Sequence, residues 1–258
     1  MDNFIVLYNP LAGNGTAQDK MRELESLMQG DRLYFSNMLD IRDYGAFFND
    51  MPDGASIIIC GGDGTLNRFL NDTEDIRPDC DIYYYPSGSG NDCARDIGAE
   101  RNKPPVLINR YIERLPKICV NGKEHRFING IGYGIDGYCC EKGDELRGKG
   151  DGEVNYTAIA IKGLLFHYKP TGATITVDGV EHRFEKVWLA PTMIGRCYGG
   201  GMMPTPEQDR LNGDGAVSVM VYYGSGKLKS LAVFPSIFKG EHIKHSEMVA
   251  VLSGRNIT

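Results

Sequence analysis

The chain has 258 residues, and its 28 Lys and Arg against 34 Asp and Glu give a formal net charge of −6. Hydrophobic residues make up 41% and charged residues 24%, which is ordinary for a globular protein and excludes a disordered chain or a coiled coil. The acidic balance argues against a nucleic-acid partner, because such binding depends on Lys and Arg that neutralise phosphates.

Cysteine usage and hydropathy predict a cytoplasmic protein. The seven Cys include no C-x-x-C pair, which favours neither a zinc site nor a disulfide framework and fits a reducing compartment. No apolar stretch approaches the roughly 18 residues of a membrane-spanning helix, and the first residues do not resemble a signal peptide. We therefore expect no transmembrane segment.

The first half of the sequence alternates between buried strands and helices. Continuous apolar runs at 4–8, 55–60 and 81–85 predict strands that are buried on both faces, as in a parallel sheet. A further strand is predicted at 32–35, and helices are predicted at 17–28, at 44–49, from Thr65 onward and at 93–97. This alternation predicts a doubly wound α/β domain over residues 1–117.

The second half, residues 118–258, is predicted to be a mostly-β, sandwich-like domain. Two similar octapeptides, at 120–127 and 177–184, each place Asn-Gly or Asp-Gly between β-prone flanks, which is a strong hairpin signal. Strands are also predicted at 186–190 and 216–223, with one helix at 156–168 between them.

Three buried strands of the first half run into polar, glycine-rich loops, at 9–16, 61–65 and 86–92. In a doubly wound sheet such loops gather at the carboxyl edge, where ligands bind. Glycines let backbone N–H groups approach an anion, and a helix N-terminus adds a favourable dipole. Asp63 would then hold a divalent cation, or its water, against phosphates. The alternative is a plain strand–turn–helix junction with Asp63 as a helix cap, but three loops at one edge favour a phosphate site.

Several familiar enzyme signatures are missing from the sequence. It contains no G-x-x-x-x-G-K-[ST] loop, no G-x-G-x-x-G opening the first helix and no V-A-I-K, H-R-D or D-F-G kinase motif. The sequence also lacks the G-x-S-x-G elbow that would indicate a hydrolase. His242 and His245 would bind a metal only if further ligands joined them, so a surface or capping role is favoured for these two residues.

Taken together, the motifs resemble the diacylglycerol kinase catalytic fold, which bacterial lipid kinases share with sphingosine and ceramide kinases. The resemblance covers essentially the whole chain in family order. It rests on residues 9–13, 61–67, 86–92, 129–136, 199–201, 204, 211–216 and 240–245.

The resemblance implies ATP and Mg²⁺ as cofactors and transfer of the γ-phosphoryl group to a lipid hydroxyl such as that of diacylglycerol. Asp63 is the implied catalytic residue, and Leu211, Asp214 and Ala216 are an implied structural Mg²⁺ site. The implied nucleotide-binding residues are Asn9, Pro10, Leu11, Ala12, Gly13, Ser36, Gly61, Gly62, Asp63, Gly64, Thr65, Leu66, Asn67, Gly88, Ser89, Asn91 and Asp92.

The resemblance also implies a lipid partner and a location peripheral to the membrane on the cytoplasmic side. The lipid would be met at the membrane surface, in a cleft between the domains, with the apolar stretch 158–166 as a candidate wall or an ordinary core helix. The sequence leaves open whether the chain forms a homodimer.

Two departures from the family pattern bear on activity. Arg68 stands where Glu is common, and either faces solvent or contacts phosphate. Family members continue past the position of Thr258 into a strand whose Asp-Gly-Glu carries the proposed general base, and the Asp-Gly-Glu at 151–153 is read as a loop instead. A chain cut short of this strand, a naturally short and weakened kinase, a base recruited from Asp63 or Asp92, and an inactive nucleotide- or lipid-binding remnant therefore stay open. An NAD kinase, which shares the Gly-Gly-Asp-Gly loop, is a further alternative.

Overall fold

A computed structural model describes residues 2–11, 17–148 and 156–258. The chain divides into two compact units, Met1–Ile128 and Asn129–Thr258. The sequence predicts a domain limit after residue 117, whereas the two units divide after Ile128. The segment between these limits contains most of the hairpin at 117–126. The Asp-Gly-Glu at 151–153 lies outside the described residues. None of the helices in the described ranges is both long and apolar enough to span a bilayer.

The first unit alternates strands and helices as predicted, and it ends in a hairpin. Its elements are β1 (Asn3–Tyr8), α1 (Ala17–Leu27), β2 (Arg32–Asn37), α2 (Tyr44–Asn49), β3 (Ser56–Gly61), α3 (Asp63–Asp72), β4 (Ile82–Pro86), α4 (Asp92–Ile97), β5 (Val106–Leu107), α5 (Asn109–Ile112), β6 (Lys117–Val120) and β7 (Lys123–Arg126).

The sheet of the first unit has the order β2-β1-β3-β4-β5 among the described strands. The first four strands are parallel, and β5 joins β4 in the antiparallel direction. Val6, Leu7 and Ile57–Ile59 are almost fully buried, because helices cover both faces. The doubly wound fold is confirmed, and its switch point lies where β2 and β3 flank β1 on opposite sides.

The second unit contains the predicted antiparallel β structure, but it is richer in helix than the sequence predicted. Besides the helix predicted at 156–168 it has two further helices, and the strand predicted separately at 186–190 is the end of a longer strand that stops at Val187. Its elements are β8 (Gly130–Ile131), α6 (Ile135–Gly148), α7 (Tyr156–Lys162), a π-helical turn (Gly163–His167), β9 (Thr171–Val177), β10 (Val180–Val187), β11 (Thr192–Met193), β12 (Val217–Tyr222), α8 (Lys227–Val233), 3₁₀ turns (Phe234–Lys239 and Glu241–Lys244) and β13 (Val249–Gly254).

Two antiparallel sheets form the second unit, one of order β13-β12-β11-β8 and one of β9 with β10. The predicted Asp-Gly turn between β9 and β10 is confirmed, since Asp178 and Gly179 have φ of 47° and 86°. The Asp178 carboxylate also accepts hydrogen bonds from the backbone N–H groups of Arg255 and Asn256, which lower its pKa. This carboxylate therefore ties the hairpin to the segment after β13.

Candidate functional site

The strand register brings the predicted loops of the first unit to one edge of its sheet. Tyr8 pairs with Asn37 on one side and Cys60 on the other, and Cys60 pairs with Tyr85. The predicted residues Asn9, Pro10 and Leu11, the segment from Gly61 to Asn67, and Gly88, Ser89, Asn91 and Asp92 all follow this row, and Ser36 lies one residue before it. Ala12 and Gly13 lie outside the described residues.

Two of the glycine-rich loops touch through their backbones. A methyl group on Gly62 would lie 3.0 Å from Gly88 Cα, and one on Gly88 would overlap Gly62 and lie 2.9 Å from Asn91 Oδ1. A methyl on Gly61 would overlap the side chain of Thr65. These three glycines are therefore required by packing, whether or not a ligand binds.

Gly64 differs from its neighbours because packing does not require it. It lies in the first turn of α3, without a left-handed backbone, and a methyl built on it meets nothing within 4 Å. A glycine inside a helix costs up to about 1 kcal/mol relative to alanine. Gly62 is the N-cap of α3 and brings no side-chain oxygen to the N–H groups of the first turn. Open space and helical N–H groups are what an approaching anion needs.

The Asp63 carboxylate links the two loops. Its Oδ2 accepts a hydrogen bond from the Asp92 N–H at 2.9 Å, and its Oδ1 accepts one from the Cys93 N–H at 2.8 Å. Asp63 therefore caps a helix, as the alternative interpretation expected, but the helix is α4 rather than its own α3. A carboxylate oxygen carries more than one lone pair, so accepting a hydrogen bond does not by itself exclude a cation or its water.

The loop before α4 is closed by two side chains. Asn91 adopts the left-handed conformation, with φ 52° and ψ 46°, and its amide pairs with both the N–H and the carbonyl of Gly88, at 3.0 and 2.8 Å. Arg101 Nη2 donates to the carbonyls of Gly88 and Ser89, the latter at 3.0 Å. Asp92 is buried and pairs with Arg95 at 2.9 Å. Sequence reasoning missed Arg101, which lies outside every motif.

The remaining predicted nucleotide residues occupy the rim of this edge. Asn9 Oδ1 accepts from the Leu11 N–H at 3.0 Å, which forms a local turn after β1. Ser36 lines a recess of about 460 Å³ together with residues of α2 and the segment before it, among them Arg42 and Asp43. Such a volume is within the range of small-molecule sites.

Arg68, the first departure from the family pattern, pairs with a residue of its own helix. Its Nε lies 3.2 Å from Asp72 Oδ2, and both side chains are exposed. Of the two interpretations given above, this contact agrees with a side chain that faces solvent.

The second unit contains a partly buried carboxyl group that the sequence did not single out. Asp136 accepts a hydrogen bond from Tyr198 Oη at 3.1 Å, and burial raises its pKa to about 7. A methyl group on Gly132 would overlap this carboxylate, and Tyr198 is presented by a turn in which 199–201 all have positive φ. Both glycine motifs were visible in the sequence, but the pairing of residues 62 positions apart was not.

The loop predicted to hold structural Mg²⁺ is closed by hydrogen bonds. The Ala216 carbonyl accepts from Asn212 Nδ2 at 2.8 Å and from Gln208 Nε2 at 3.0 Å, while Asp214 Oδ1 accepts from the Ala216 N–H at 3.3 Å. Leu211 donates its N–H to Asp209 Oδ1 at 2.9 Å. Across the described ranges, no group of three or more His, Cys, Asp or Glu side chains is placed to hold a metal.

His242 and His245 differ in environment. His242 is fully buried, donates from Nε2 to the Pro204 carbonyl at 3.0 Å, and has a pKa lowered by burial, whereas His245 is 41% exposed. For His242, this contradicts the surface role favoured from the sequence. The Gly240–His242 segment instead fastens a 3₁₀ turn to the loop at Pro204.

Comparison with known proteins agrees with this architecture. Residues 3–118 match the family model described as the diacylglycerol kinase catalytic domain, and residues 129–258 match the YegS C-terminal NAD kinase beta sandwich-like domain. A diacylglycerol kinase of Mycobacterium tuberculosis is 26% identical over 200 residues, which cover 75% of this chain and 63% of that protein. A diacylglycerol kinase of Bacillus subtilis is 27% identical over 207 residues, which cover 77% of this chain and 65% of that protein.

A solved structure shows the same fold. The crystal structure of a diacylglycerol kinase from Bacillus anthracis str. Sterne aligns with 99% of this chain and 85% of its own, with a TM-score of 0.59 at 19% identity. The chain spans 63–65% of the length of the curated relatives it matches.

Proposed function

Since the chain belongs to the diacylglycerol kinase catalytic-domain family, we propose that it transfers the γ-phosphoryl group of ATP to a lipid hydroxyl, such as that of diacylglycerol, at a membrane surface. The observation that carries this proposal is the helix glycine Gly64, which has open space beside it and no packing role, at an edge where two phosphate-type loops touch. A polyphosphate bound in that open space would explain why position 64 is a glycine.

The residues of the first unit supply positioning and charge stabilisation, which are most of what phosphoryl transfer requires. The first N–H groups of a helix have no intrahelical partner, Gly62 supplies no side-chain cap to α3, and the helix dipole favours anions there. Mg²⁺, when bound with the nucleotide, would neutralise charge on the phosphates, and Asp63 is the residue that we assign to hold it. Arg101 and Asn91 keep the neighbouring loop in place.

Proton transfer from the acceptor hydroxyl needs a carboxyl group that exchanges its proton near neutral pH. Among the described carboxyl groups, Asp136 is the one whose pKa is raised to about 7, and Tyr198 fixes its orientation. Its protonation therefore changes in the pH range that such a transfer requires.

Apolar surface in the second unit supports a lipid acceptor. Phe166 is 73% exposed and Leu228 is 81% exposed. They lie on neighbouring elements, because Lys227 Nζ donates to the Leu165 carbonyl at 2.7 Å. Exposed apolar side chains beside lysines suit contact with a lipid surface.

The proposal is tested by incubating the protein with γ-labelled ATP, Mg²⁺ and vesicles that carry diacylglycerol or another lipid alcohol, with NAD in a parallel reaction. We expect label on one lipid class. In Gly64→Ala, we expect unchanged or higher thermal stability but weaker ATP binding and transfer, because the added methyl occupies the space left for phosphate. Label on NAD would favour an NAD kinase, and ATP binding without transfer to any acceptor would indicate an inactive remnant.

A further inference from the structure

The loop from Gln208 to Ala216 in the second unit is closed by its own side-chain amides. We propose that Asn212 and Gln208 hold this loop in place of the structural Mg²⁺ that the family resemblance implies, so that the loop folds without a metal. The proposal concerns this loop alone and leaves the Mg²⁺ that accompanies a nucleotide unaffected.

The Ala216 carbonyl has no lone pair left for a cation. A peptide oxygen has two lone pairs, and here Asn212 Nδ2 at 2.8 Å and Gln208 Nε2 at 3.0 Å donate to it. A cation bound to this oxygen would have to displace one of these donors and leave a polar N–H without that partner, which is unfavourable.

The orientation of the Asn212 amide is fixed by its surroundings. Its Oδ1 accepts from the Ala216 N–H at 2.9 Å while its Nδ2 faces the carbonyl of the same residue. A reversed amide would set donor against donor and acceptor against acceptor. Asn212 therefore pairs with the Ala216 backbone as a neighbouring strand would.

The Gln208 amide is also fixed, and it is buried. Gln208 Oε1 accepts from Ser218 Oγ at 2.5 Å, and Ser218 Oγ is 2.6 Å from Ser253 Oγ on β13. Gln208 is 9% exposed and Ser218 is 4% exposed, so this network is shielded from water. Satisfied, buried hydrogen bonds of this kind rigidify a loop without an ion.

The carboxylates of the loop do not require a counterion. Asp209 and Asp214 are exposed, and each accepts a backbone N–H two residues further along, from Leu211 and Ala216 respectively. Water screens exposed carboxylates, so folding leaves no buried negative charge for a cation to neutralise.

The test is thermal unfolding of the full chain without nucleotide, in EDTA and in a Mg²⁺ titration. We expect the same Tm throughout. In Asn212→Ala we expect a lower Tm by the same amount in EDTA and in Mg²⁺, whereas Asn49→Ala, a matched change at an exposed helix end, leaves Tm unchanged.

Each result bears on the proposal directly. A saturable rise of Tm with Mg²⁺ that disappears in Asp214→Asn would overturn it, and so would an Asn212→Ala protein as stable as the parent. A rise that survives Asp214→Asn reports a cation bound elsewhere and leaves the amide closure standing. Should Asn212→Ala fail to fold, the titration of the parent protein decides. These measurements do not use catalysis, so they are independent of the proposed kinase activity.

Discussion

Replacing Asp63 by alanine tests two roles of one carboxylate. The change removes both hydrogen bonds to the N-terminus of α4, at 2.9 and 2.8 Å, from the N–H groups of Asp92 and Cys93. Loss of a helix cap costs roughly 0.5–2 kcal/mol, and two bonds to a charged acceptor place this case near the upper end, at about 2 kcal/mol. With a Tm change of about 2–4 °C for each kcal/mol, we expect a fall of about 4–8 °C.

Two comparison variants separate the cap from the chemistry. Asp63→Asn keeps one acceptor and turns an NH₂ group toward the second N–H, so we expect about half the loss of stability. Asp72→Ala lies at the other end of the same helix and breaks only an exposed pair with Arg68, which is worth at most about 0.5 kcal/mol.

Circular dichroism gives the Tm, and calorimetry with Mg-ATP gives nucleotide binding. We expect Asp63→Ala and Asp63→Asn to remain folded at 25 °C yet to lose phosphoryl transfer, while Asp72→Ala keeps both properties. An unchanged Tm in Asp63→Ala would refute the capping contribution. Full transfer activity in that variant would remove Asp63 from the mechanism.

Two further changes probe the packing of the loops and the Asp136 carboxyl group. Gly88→Ala forces a methyl into the backbone of Gly62, so we expect a loss of about 1–3 kcal/mol in denaturant unfolding together with weaker ATP binding; wild-type stability would contradict the close loop contact. The pKa of Asp136 rises from 3.8 to about 7 on folding, so the native state binds more protons and stability falls as the pH rises between those values. Asp136→Asn removes that fall, and we expect it to be more stable than the parent at pH 8, by at most roughly 4 kcal/mol, and equal to it near pH 4. Equal stability at pH 8 would show that burial does not disfavour the Asp136 charge.

The sequence predicted those features that depend on short stretches of chain. Continuous apolar runs indicate the buried strands. The hairpin at Asp178-Gly179 follows from the left-handed turn conformation that these residue types allow. Parallel strands then bring their carboxyl ends to one edge, so the gathering of the loops could also be anticipated.

Contacts between distant segments could not be predicted in this way. Asp63 caps a helix that begins 29 residues later, and Arg101 donates to Gly88 from outside any motif. The pairing of Asp136 with Tyr198 joins two glycine motifs whose spacing carries no signal of contact. In each case a side chain meets a partner whose position is set by the packing of whole elements, and single-sequence patterns do not encode that packing.

The bare backbone contact between Gly62 and Gly88 has a consequence for how a ligand is received. No side chain lies between the two loops at this contact, so there is no side-chain packing that could rearrange to let one loop move against the other. We expect the two loops to form a preorganised anion-binding site, so that little conformational entropy is lost when a polyanion binds. Evolutionary changes in affinity for the anion would then arise at residues that border these two loops, because any side chain at Gly62 or Gly88 would push the loops apart.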